Sequence, residues 1–412
     1  MTRGQWAARR VVQLLLSRIF VGRLTVVEGG VAEVFGPGGG DGPRAVVHVK
    51  DPAGWPLLLK GSSGLAESYA RGHWDTPDLP ALIRIAARNT TELDAVRRRL
   101  SPLREPFQRL RSVRSTEPQS RKDISSHYDL GNDLFELMLD PTMMYSSAYF
   151  AEPGMSLEQA SAAKLDLVCS KLDLGEHDHV LEIGTGWGGF AVHAAATTGC
   201  RVTTTTISRR QYEWAVERVH DAGVQDRVEV LLRDYRTLEG AYDKLVSIEM
   251  IEAVGWRDFG TFFERCSRLL KPSGTMLLQA ITIDDRAYEL EKASKSFIRS
   301  YVFPNGCLPS NEVIARSLRR HTDLRLVGLQ DLTPHYAETL RHWRHNVEAA
   351  AGRLHDLGYD ERFRRIWRLY LAYCEAGFTE RRISVVQSVL AKPLWRAELP
   401  DVAAVRRLHA AG

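Results

Sequence analysis

A short apolar strand that runs directly into closely spaced glycines is the feature that most restricts how this chain can fold. The strand covers residues 180–183, and Gly184, Gly186 and Gly189 follow it before helix-forming residues begin at 191. Glycine accepts a positive φ and has no side chain, so such a turn brings backbone N–H groups and a helix N-terminus close to a ligand. The pattern therefore predicts a strand, a tight turn and a helix that bind a nucleotide-like cofactor.

The spacing of these glycines matches the dinucleotide-binding pattern G-x-G-x-x-G, but the acidic residue that usually confirms that pattern is missing. It is expected about 20 residues further on, where residues 201–207 contain no carboxylate. Glu182 instead stands two residues before the first glycine. This placement is typical of S-adenosylmethionine (SAM) methyltransferases. A glycine-rich turn that binds no ligand is the alternative interpretation.

Length and composition favour a globular protein of two domains. The chain has 412 residues, of which 44% are hydrophobic and 26% charged, values that are ordinary for a globular protein. Its five cysteines stand singly, which favours the reducing cytoplasm over a disulfide-rich compartment. No apolar stretch approaches the roughly 18 residues of a membrane span, and the N-terminal apolar run lacks a signal cleavage site. No metal site is predicted.

Positive charge is concentrated in two segments of the chain. The net charge is only +4, but five arginines lie within the first 23 residues and nine basic residues lie within 97–122. Clustered cations attract polyanions, either nucleic acid or an anionic membrane surface. Residues 5–20 have the spacing of an amphipathic helix, which either packs on its own domain or lies on a membrane surface.

The order of predicted elements indicates the domain organisation. Alternating runs within residues 24–49 predict a small antiparallel sheet, in an N-terminal α+β domain of residues 1–96 that associates with lipid or membrane. The arginine-rich, proline-containing residues 97–122 are interpreted as a basic linker. Strands and helices alternate in residues 123–412, which predicts a parallel sheet with ligands at the carboxyl ends of its strands. The fold class is therefore α/β, with a Rossmann-like domain after the smaller α+β domain.

Polar groups suited to a cofactor or to acid–base chemistry follow the predicted strands. Asp234 and Tyr235 follow the third strand and suit an adenine amine and ring face. Glu249 and Glu252 follow the fourth and bring two carboxylates close to the cleft, although Glu252 is also interpretable as a helix N-terminal carboxylate. Thr206, Ile207 and Gln211 follow the second strand. Their hydroxyl and amide groups could hold ribose oxygens.

Five motifs in a fixed order resemble those of the cyclopropane fatty acid synthases. They are His-Tyr-Asp-Leu-Gly-Asn at 127–132, Tyr-Ser-Ser-Ala-Tyr-Phe at 145–150, Leu-Glu-Ile-Gly-Thr-Gly-Trp-Gly at 181–188, Ser-Ile-Glu-Met-Ile-Glu-Ala-Val-Gly at 247–255 and Tyr-Val-Phe-Pro-Asn-Gly-Cys-Leu-Pro-Ser at 301–310. The likeness covers nearly the whole chain, including residues 64–69 and 72–74. Such a series of long motifs is far more specific than one glycine pattern.

The resemblance implies a SAM-dependent methyltransferase that adds one carbon to cis double bonds of unsaturated phospholipid acyl chains and forms a cyclopropane ring. In that family the alkene attacks the SAM methyl group, and bound bicarbonate removes a proton so that the ring closes. An alkene is a weak nucleophile, so the site must be dry and aromatic, with buried negative charge for the cation. The enzyme is expected in the cytoplasm, peripherally bound to the inner face of the membrane.

The resemblance, carried over position by position, assigns the reaction site to Glu252, Tyr336, Gln279, Ser147 and Ile281 as bicarbonate contacts, with Tyr128 as an aromatic wall. Ser147 stands where a cysteine is common and Gln279 where a histidine is common. Gln279 can donate a hydrogen bond but cannot carry a proton as histidine does. Together with the strand-end residues, the predicted cofactor contacts are Tyr145, Ser146, Glu182, Gly184, Gly186, Gly188, Thr206, Ile207, Gln211, Asp234, Tyr235 and Ile248.

Three alternatives remain beside the cyclopropane product. The segments at 249–255 and 279–282 resemble a related group that methylates oleoyl chains to a 10-methylene product, which a partner reductase then saturates. A flavin-dependent reductase partner and a homodimer are therefore left open. A catalytically silent lipid-binding relative is suggested by Ser147 and Gln279. A nucleic-acid methyltransferase ranks lower, because no Asn-Pro-Pro-Tyr segment follows the fourth strand, and no nucleic-acid partner is expected.

Overall fold

The structure is a computed structural model that describes residues 1–37, 40–100, 131–292, 294, 296–304 and 306–399, with the backbone alone for 91–100. Two compact units are present, and each combines distant parts of the chain. The first contains Met1–Ser112, Ala293–Pro304 and Leu340–Ile383, and the second contains Val113–Lys292, Asn305–Thr339 and Ser384–Gly412. The sequence analysis predicted that each domain is one continuous segment. In the structure the first unit consists of three segments, because the chain returns to it twice. Most of the predicted basic linker, and Tyr128, lie outside the described residues.

Helices and strands alternate through most of the described chain. The helices are α1 (Arg3–Leu16), α2 (Trp55–Leu58), α3 (Ser62–Ala70), α4 (Leu79–Leu100), α5 (Asn132–Met138), α6 (Leu157–Lys171), α7 (Gly189–Thr198), α8 (Arg209–Asp221), α9 (Phe259–Leu269), α10 (Asp285–Glu291), α11 (Phe297–Tyr301), α12 (Asn311–His321), α13 (Thr333–Ala349), α14 (Ala351–Asp356) and α15 (Glu361–Thr379). The strands are β1 (Arg23–Glu28), β2 (Val31–Phe35), β3 (Arg44–Val49), β4 (Trp74–Asp75), β5 (His179–Ile183), β6 (Arg201–Thr206), β7 (Val228–Leu232), β8 (Tyr242–Ile248), β9 (Leu270–Ile283), β10 (Arg325–Asp331) and β11 (Ile383–Ala391).

The first unit contains a four-stranded sheet in the order β2-β1-β3-β4. β1 pairs with β2 in antiparallel fashion, but it pairs with β3 in parallel, so the prediction of a purely antiparallel sheet is wrong. The loop after β2 crosses the start of β1, where a Cβ on Gly36 would lie 2.3 Å from the carbonyl oxygen of Gly22. Glycine permits this close approach, and the crossing delivers β3 to the other edge of β1 in the same direction.

Helix α1 packs on the first unit with one face only. It begins with a capping box between Thr2 and Gln5, which satisfies backbone donors at the helix start. Ala8 and Val12 are buried and join the core of this unit. The face turned away from them exposes large apolar side chains, with fractional exposures of 54% for Trp6 and 60% for Leu14.

The second unit contains a seven-stranded sheet in the order β7-β6-β5-β8-β9-β11-β10. The pairs β5–β6, β6–β7, β5–β8 and β8–β9 are parallel, and β10–β11 is antiparallel. The predicted Rossmann-like α/β fold is confirmed. The chain moves from β5 to β6 on one side and later places β8 on the other. This reversal opens a crevice at the carboxyl ends of β5 and β8, where the glycine turn lies.

Both faces of this sheet are covered by apolar side chains. Val180 and Val246 belong to one hydrophobic cluster, while their neighbours Leu181 and Leu245 belong to the cluster on the other face. This alternation follows from the two-residue period of a strand, and burial on both faces explains why these strands are almost continuously apolar. Within the described ranges, no helix has both the length and the apolar character needed to span a bilayer.

Candidate active site

The glycine turn after β5 has the geometry of a cofactor cradle. Gly184, Gly186 and Gly188 have φ values of 104°, 52° and 84°, all in the region that favours glycine. A Cβ on Gly184 would lie 3.1 Å from Met250, and one on Gly188 would lie 3.2 Å from Ala215, whereas one on Gly186 would meet nothing within 4 Å. Side chains therefore pack closely against Gly184 and Gly188, while the space beside Gly186 is open. This arrangement fits the approach of SAM to the backbone and to the N-terminus of α7.

Glu182 lies buried beneath this turn. Its Oε2 accepts a hydrogen bond from Thr204 Oγ1 over 2.6 Å, which ties β5 to β6. Burial raises the pKa of Glu182 to about 8, because a low-dielectric environment disfavours the charged form. The hydrogen bond from Thr204 and the charge of Lys164 oppose this rise, and the role of Glu182 as a cofactor contact stays a prediction.

The other predicted cofactor contacts come from several strand ends and from the segment before α6. Thr206 Oγ1 donates to Gln211 Oε1 over 2.8 Å. The buried carboxylate of Asp234 accepts from Arg236 Nη2 over 2.6 Å. The structure therefore brings these groups to one edge of the sheet, as the parallel topology requires. Ile207, Tyr235 and Ile248 also lie at or just after strand ends. Tyr145 is half-buried and packs against Phe135 of α5.

Glu249 is the centre of a partly buried hydrogen-bond network. It directly follows β8 with a φ of 50°, a left-handed conformation that is uncommon for any residue except glycine. Its Oε1 accepts from the backbone N–H of Ser147 over 2.9 Å and from Gln279 Nε2 over 2.7 Å. Its Oε2 accepts from the hydroxyl of Tyr336 over 2.6 Å. Burial raises the pKa of Glu249, and these three hydrogen bonds oppose the rise because they favour the ionised form.

Three residues predicted to hold bicarbonate are therefore the donors to Glu249. Ser147 donates through its backbone N–H, while its hydroxyl donates to the carbonyl of Ala148 over 3.0 Å. The exchange of a cysteine for a serine therefore leaves this donor unchanged. Sequence reasoning brought Glu249 to the cleft but left it out of the site. The available signal was a second carboxylate three positions before Glu252.

Glu252 supplies a second buried carboxyl group. It lies in a short 3-10 turn, and its Oε1 accepts from the backbone N–H of Ile281 over 2.5 Å. Its Oε2 is buried and has no hydrogen-bond partner within the described part of the chain. Burial first, and then the negative charge of Glu249, raise the pKa of Glu252 to about 8. The two carboxyls therefore differ in their partners, because three donors favour the ionised form of Glu249 and the single backbone donor of Ile281 favours that of Glu252.

A chain of buried side chains determines how Gln279 is oriented. Gln279 Oε1 accepts from Gln387 Nε2 over 2.9 Å, and Gln387 Oε1 accepts from Lys171 Nζ over 2.6 Å. Sequence reasoning missed Gln387 and Lys171. A polar residue in the middle of the apolar strand β11 was the signal for Gln387, since such a residue needs a buried partner.

Lys164 is a further buried cation that the sequence analysis missed. Its Nζ donates to Ser146 Oγ over 3.0 Å. Burial lowers the pKa of Lys164 to about 8, although the charges of Glu249, Asp140 and Glu182 oppose this fall. The ammonium group therefore balances negative charge in the site and orients the hydroxyl of Ser146, a predicted cofactor contact. The sequence analysis missed Lys164 because its neighbours on α6 are small and apolar residues, and this pattern does not distinguish a buried lysine from a surface one.

Comparison with known proteins identifies relatives over most of the chain. The family described as "Mycolic acid cyclopropane synthetase" matches residues 115–388. The chain is 40% identical over 357 residues to tuberculostearic acid methyltransferase UfaA1 of Mycobacterium tuberculosis, covering 84% of this chain and 83% of that protein. It is 37% identical over 351 residues to cyclopropane-fatty-acyl-phospholipid synthase of Escherichia coli K12, covering 84% and 88%.

Solved structures agree with these sequence relationships. The mycolic acid cyclopropane synthase CmaA1, complexed with SAH and CTAB, aligns with a TM-score of 0.62 and 30% identity over 68% of this chain and 99% of that one. The cyclopropane synthase MmaA2 from Mycobacterium tuberculosis aligns with a TM-score of 0.62 and 31% identity over 66% and 98%. SAH is the demethylated form of SAM, so the CmaA1 complex supports SAM as the cofactor.

Proposed function

The chain belongs to the mycolic acid cyclopropane synthetase family of SAM-dependent methyltransferases, and we propose that it transfers the SAM methyl group to a cis double bond in unsaturated phospholipid acyl chains. The observation that carries this proposal is the partly buried Glu249 carboxyl group, which is held by three donors in the site. A fixed, buried negative charge stabilises a cation far better than water-exposed charge does. Methylation of an alkene is a reaction that requires such stabilisation.

SAM supplies an electrophilic methyl group. The residues of the chain must then stabilise the cation left on the neighbouring acyl carbon and keep water from adding to it. Gln279 and Tyr336 are buried and Glu249 is partly buried beside them, which limits the access of water for both tasks. The product becomes neutral only when a proton leaves, so the site also needs a base close to the cation.

Two products are compatible with this chemistry. Loss of a proton from the added methyl group closes a cyclopropane ring, whereas a preceding hydride shift to the cationic carbon leads to a methylene branch. The methylene-branched chain is favoured by Glu249 and Gln279, which come from the two segments that resemble the oleoyl-methylating group and bond to each other over 2.7 Å. The 40% identity to a tuberculostearic acid methyltransferase supports the same choice. A flavin-dependent reductase would then convert the methylene into a methyl branch.

The cyclopropane acyl chain is the second candidate. It is the product that the sequence motifs predicted, and it is supported by the 37% identity to the cyclopropane-fatty-acyl-phospholipid synthase of Escherichia coli. The two products have the same mass, because they differ only in how one added carbon is bonded. NMR separates them, since ring methylene protons and vinylidene protons resonate far apart.

The test is incubation of the purified protein with methyl-labelled SAM and vesicles of dioleoyl phospholipid. Label is expected in the acyl chains, and NMR of the released fatty acids identifies the product. Vesicles with the same headgroup and saturated chains are the matched control, because they lack the nucleophile. Absence of label from the dioleoyl lipid would refute the proposed function.

We also propose that α1 brings the enzyme to the surface of the inner membrane leaflet. Its exposed face combines Trp6 and Leu14 with Arg3 and Arg10, the combination that binds anionic lipid surfaces. Co-sedimentation with anionic vesicles should weaken strongly for Leu14→Asp. Leu357→Asp, at an exposed leucine outside α1, should bind as wild type does. Equal binding of both variants would contradict this role of α1.

A further inference from the structure

The bicarbonate predicted from the resemblance does not fit the site that this chain builds. Its expected donors include the backbone N–H of Ser147, Nε2 of Gln279 and the hydroxyl of Tyr336, and all three donate to Glu249. The N–H of Ser147 and the hydroxyl of Tyr336 have only one proton each to donate. An anion bound by these donors would have to displace a carboxylate that belongs to the protein.

We propose that Glu249 takes the place of bicarbonate, so that its carboxylate fills the anion site and accepts the proton that the methylated acyl chain loses. A carboxylate presents the same planar O–C–O unit as bicarbonate and accepts hydrogen bonds in the same way. This inference rests on the proposed function, because the proton is released only after methyl transfer to an alkene. It differs from the sequence expectation in making the base a permanent part of the chain.

The backbone conformation of Glu249 supports a functional role for its side chain. A φ of 50° costs a non-glycine residue about 1 kcal/mol or more, and such strain persists where the surroundings enforce it. Glycine would adopt the same turn without strain. The glutamate in this position directs a carboxylate at three converging donors, and a hydrophobic or small residue would leave those donors unpaired in the interior.

The neighbouring carboxyl group supports the division of roles. Glu252 has a buried Oε2 without a partner in the described chain, and Glu249 has all three of its contacts on donors. Of the two, Glu249 is therefore the group whose ionised form has more hydrogen-bond donors, three against one. Glu252 in its protonated form can donate a hydrogen bond, so it does not repel the anion.

The reaction balances with Glu249 as the base. The π electrons of the alkene form the new C–C bond as the S–CH3 bond breaks, and SAH leaves with the electron pair on sulfur. The adjacent carbon is left positively charged. For the ring, a C–H bond of the added methyl group yields its proton to Glu249, and its electron pair becomes the third ring bond. For the methylene branch, a hydride first shifts from the methyl-bearing carbon to the cationic carbon, and a methyl C–H bond then yields its proton to Glu249 while its electron pair becomes the new double bond. Glu249 ends the cycle neutral and returns the proton to water after product release.

The test compares wild type, Glu249→Gly and Glu249→Gln in buffer freed of carbon dioxide and in the same buffer with added bicarbonate. Wild type should methylate dioleoyl lipid equally in both. Glu249→Gly suits the positive φ and empties the anion site, so its rate should fall about 100-fold or more without bicarbonate and recover at least about tenfold with it. Glu249→Gln fills the site with an amide that accepts no proton, so its rate should fall as far and show no recovery.

Binding of SAM, measured by calorimetry, should stay close to the wild-type value in both variants and shows that they are folded. Wild-type activity that depends on added bicarbonate would overturn the inference while the proposed function stands. Full activity of Glu249→Gly without bicarbonate, or a folded Glu249→Gly that bicarbonate fails to rescue, would overturn it as well. Wild type that methylates no lipid in either buffer would remove the proposed function itself.

Discussion

The side-chain amide of Gln279 donates from Nε2 to Oε1 of Glu249 over 2.7 Å. Its orientation is determined at the far end of a chain in which Lys171 donates to Gln387, and Gln387 donates to Gln279. Burial lowers the pKa of Lys171 to about 7. In its ammonium form Lys171 only donates, and an ionised carboxylate only accepts. With these two groups at its ends, the chain allows a single orientation of both amides. The buried lysine thus helps to stabilise the anion at Glu249 without touching it.

Lys171 is therefore expected to act as a positioning residue. Lys171→Met removes the donor that orients Gln387, so both amides can invert and Glu249 loses a fixed hydrogen bond. We expect kcat to fall about tenfold, or about 1.4 kcal/mol, with KM and Kd for SAM unchanged. The acid limb of the pH–rate profile should move to higher pH, because Glu249 becomes easier to protonate. Lys271→Met, at a half-exposed ion pair with Asp243, is the control, and equal profiles for the two variants would contradict the assignment.

Tyr336 makes the shortest of the three bonds to Glu249, at 2.6 Å. Tyr336→Phe removes this hydroxyl and keeps the ring. Since a hydrogen bond to a charged group contributes about 1.5 to 3 kcal/mol, kcat should fall roughly 10- to 100-fold. The matched control is Tyr242→Phe at the first residue of β8, at the opposite end of the strand from the site. Steady-state measurement of SAH formation distinguishes the two, and wild-type kcat in Tyr336→Phe would rule out this role.

The glycine turn and the parallel sheet were predictable because they depend on local patterns. Apolar runs of strand length, glycines at fixed spacing and intervening helical segments specify β5, the turn and α7 whatever the rest of the chain does. The resemblance then brought Ser147, Gln279 and Tyr336 together, and the structure agrees on their proximity. Their common partner was not predictable, because the direction of the Glu249 side chain depends on a φ of 50° that sequence patterns do not assign to glutamate.

The pairing of elements far apart in the sequence could not be predicted either. The parallel contact of β1 with β3 depends on a loop that crosses close to Gly22, and nothing in the alternation of β1, β2 and β3 distinguishes that crossing from a simple meander. The assignment of Leu340–Ile383 to the first unit also depends on contacts between residues far apart in sequence. Periodicity predicts elements and their buried faces, but it carries no information on which distant element covers them.

Glu252 makes stability depend on pH. Its pKa in the folded enzyme is raised from 4.5 to about 8, so unfolding releases a proton at any pH between these values. The free energy of unfolding should therefore decrease as pH rises through this window, by about 1.4 kcal/mol per pH unit for one proton. Glu252→Gln should make the slope shallower by that amount in urea titrations. Glu264→Gln, at an exposed ion pair on α9, is the control, and identical slopes for wild type and Glu252→Gln would contradict the prediction.

Arg365 holds α15 within the first unit. Its Nε donates to the carbonyl of Tyr69 over 2.6 Å, its Nη2 donates to the carbonyl of Trp74 over 2.9 Å, and its guanidinium lies 3.9 Å from the centre of the Tyr69 ring. A lysine ammonium cannot match this planar set of contacts. Arg365→Lys should therefore lower the free energy of unfolding by about 2 to 4 kcal/mol, because a buried carbonyl loses its donor.

The control for Arg365 is Arg362→Lys on the same helix. Arg362 pairs with Glu67 over 2.7 Å, but its side chain is 51% exposed, so its replacement should change the free energy of unfolding by less than about 1 kcal/mol. Both values follow from urea denaturation monitored by tryptophan fluorescence, since Trp74 lies in the affected contact. An equal decrease in the free energy of unfolding for the two variants would contradict this role of Arg365. It would mean that apolar packing holds α15, and that water replaces the guanidinium as the donor to the two carbonyls.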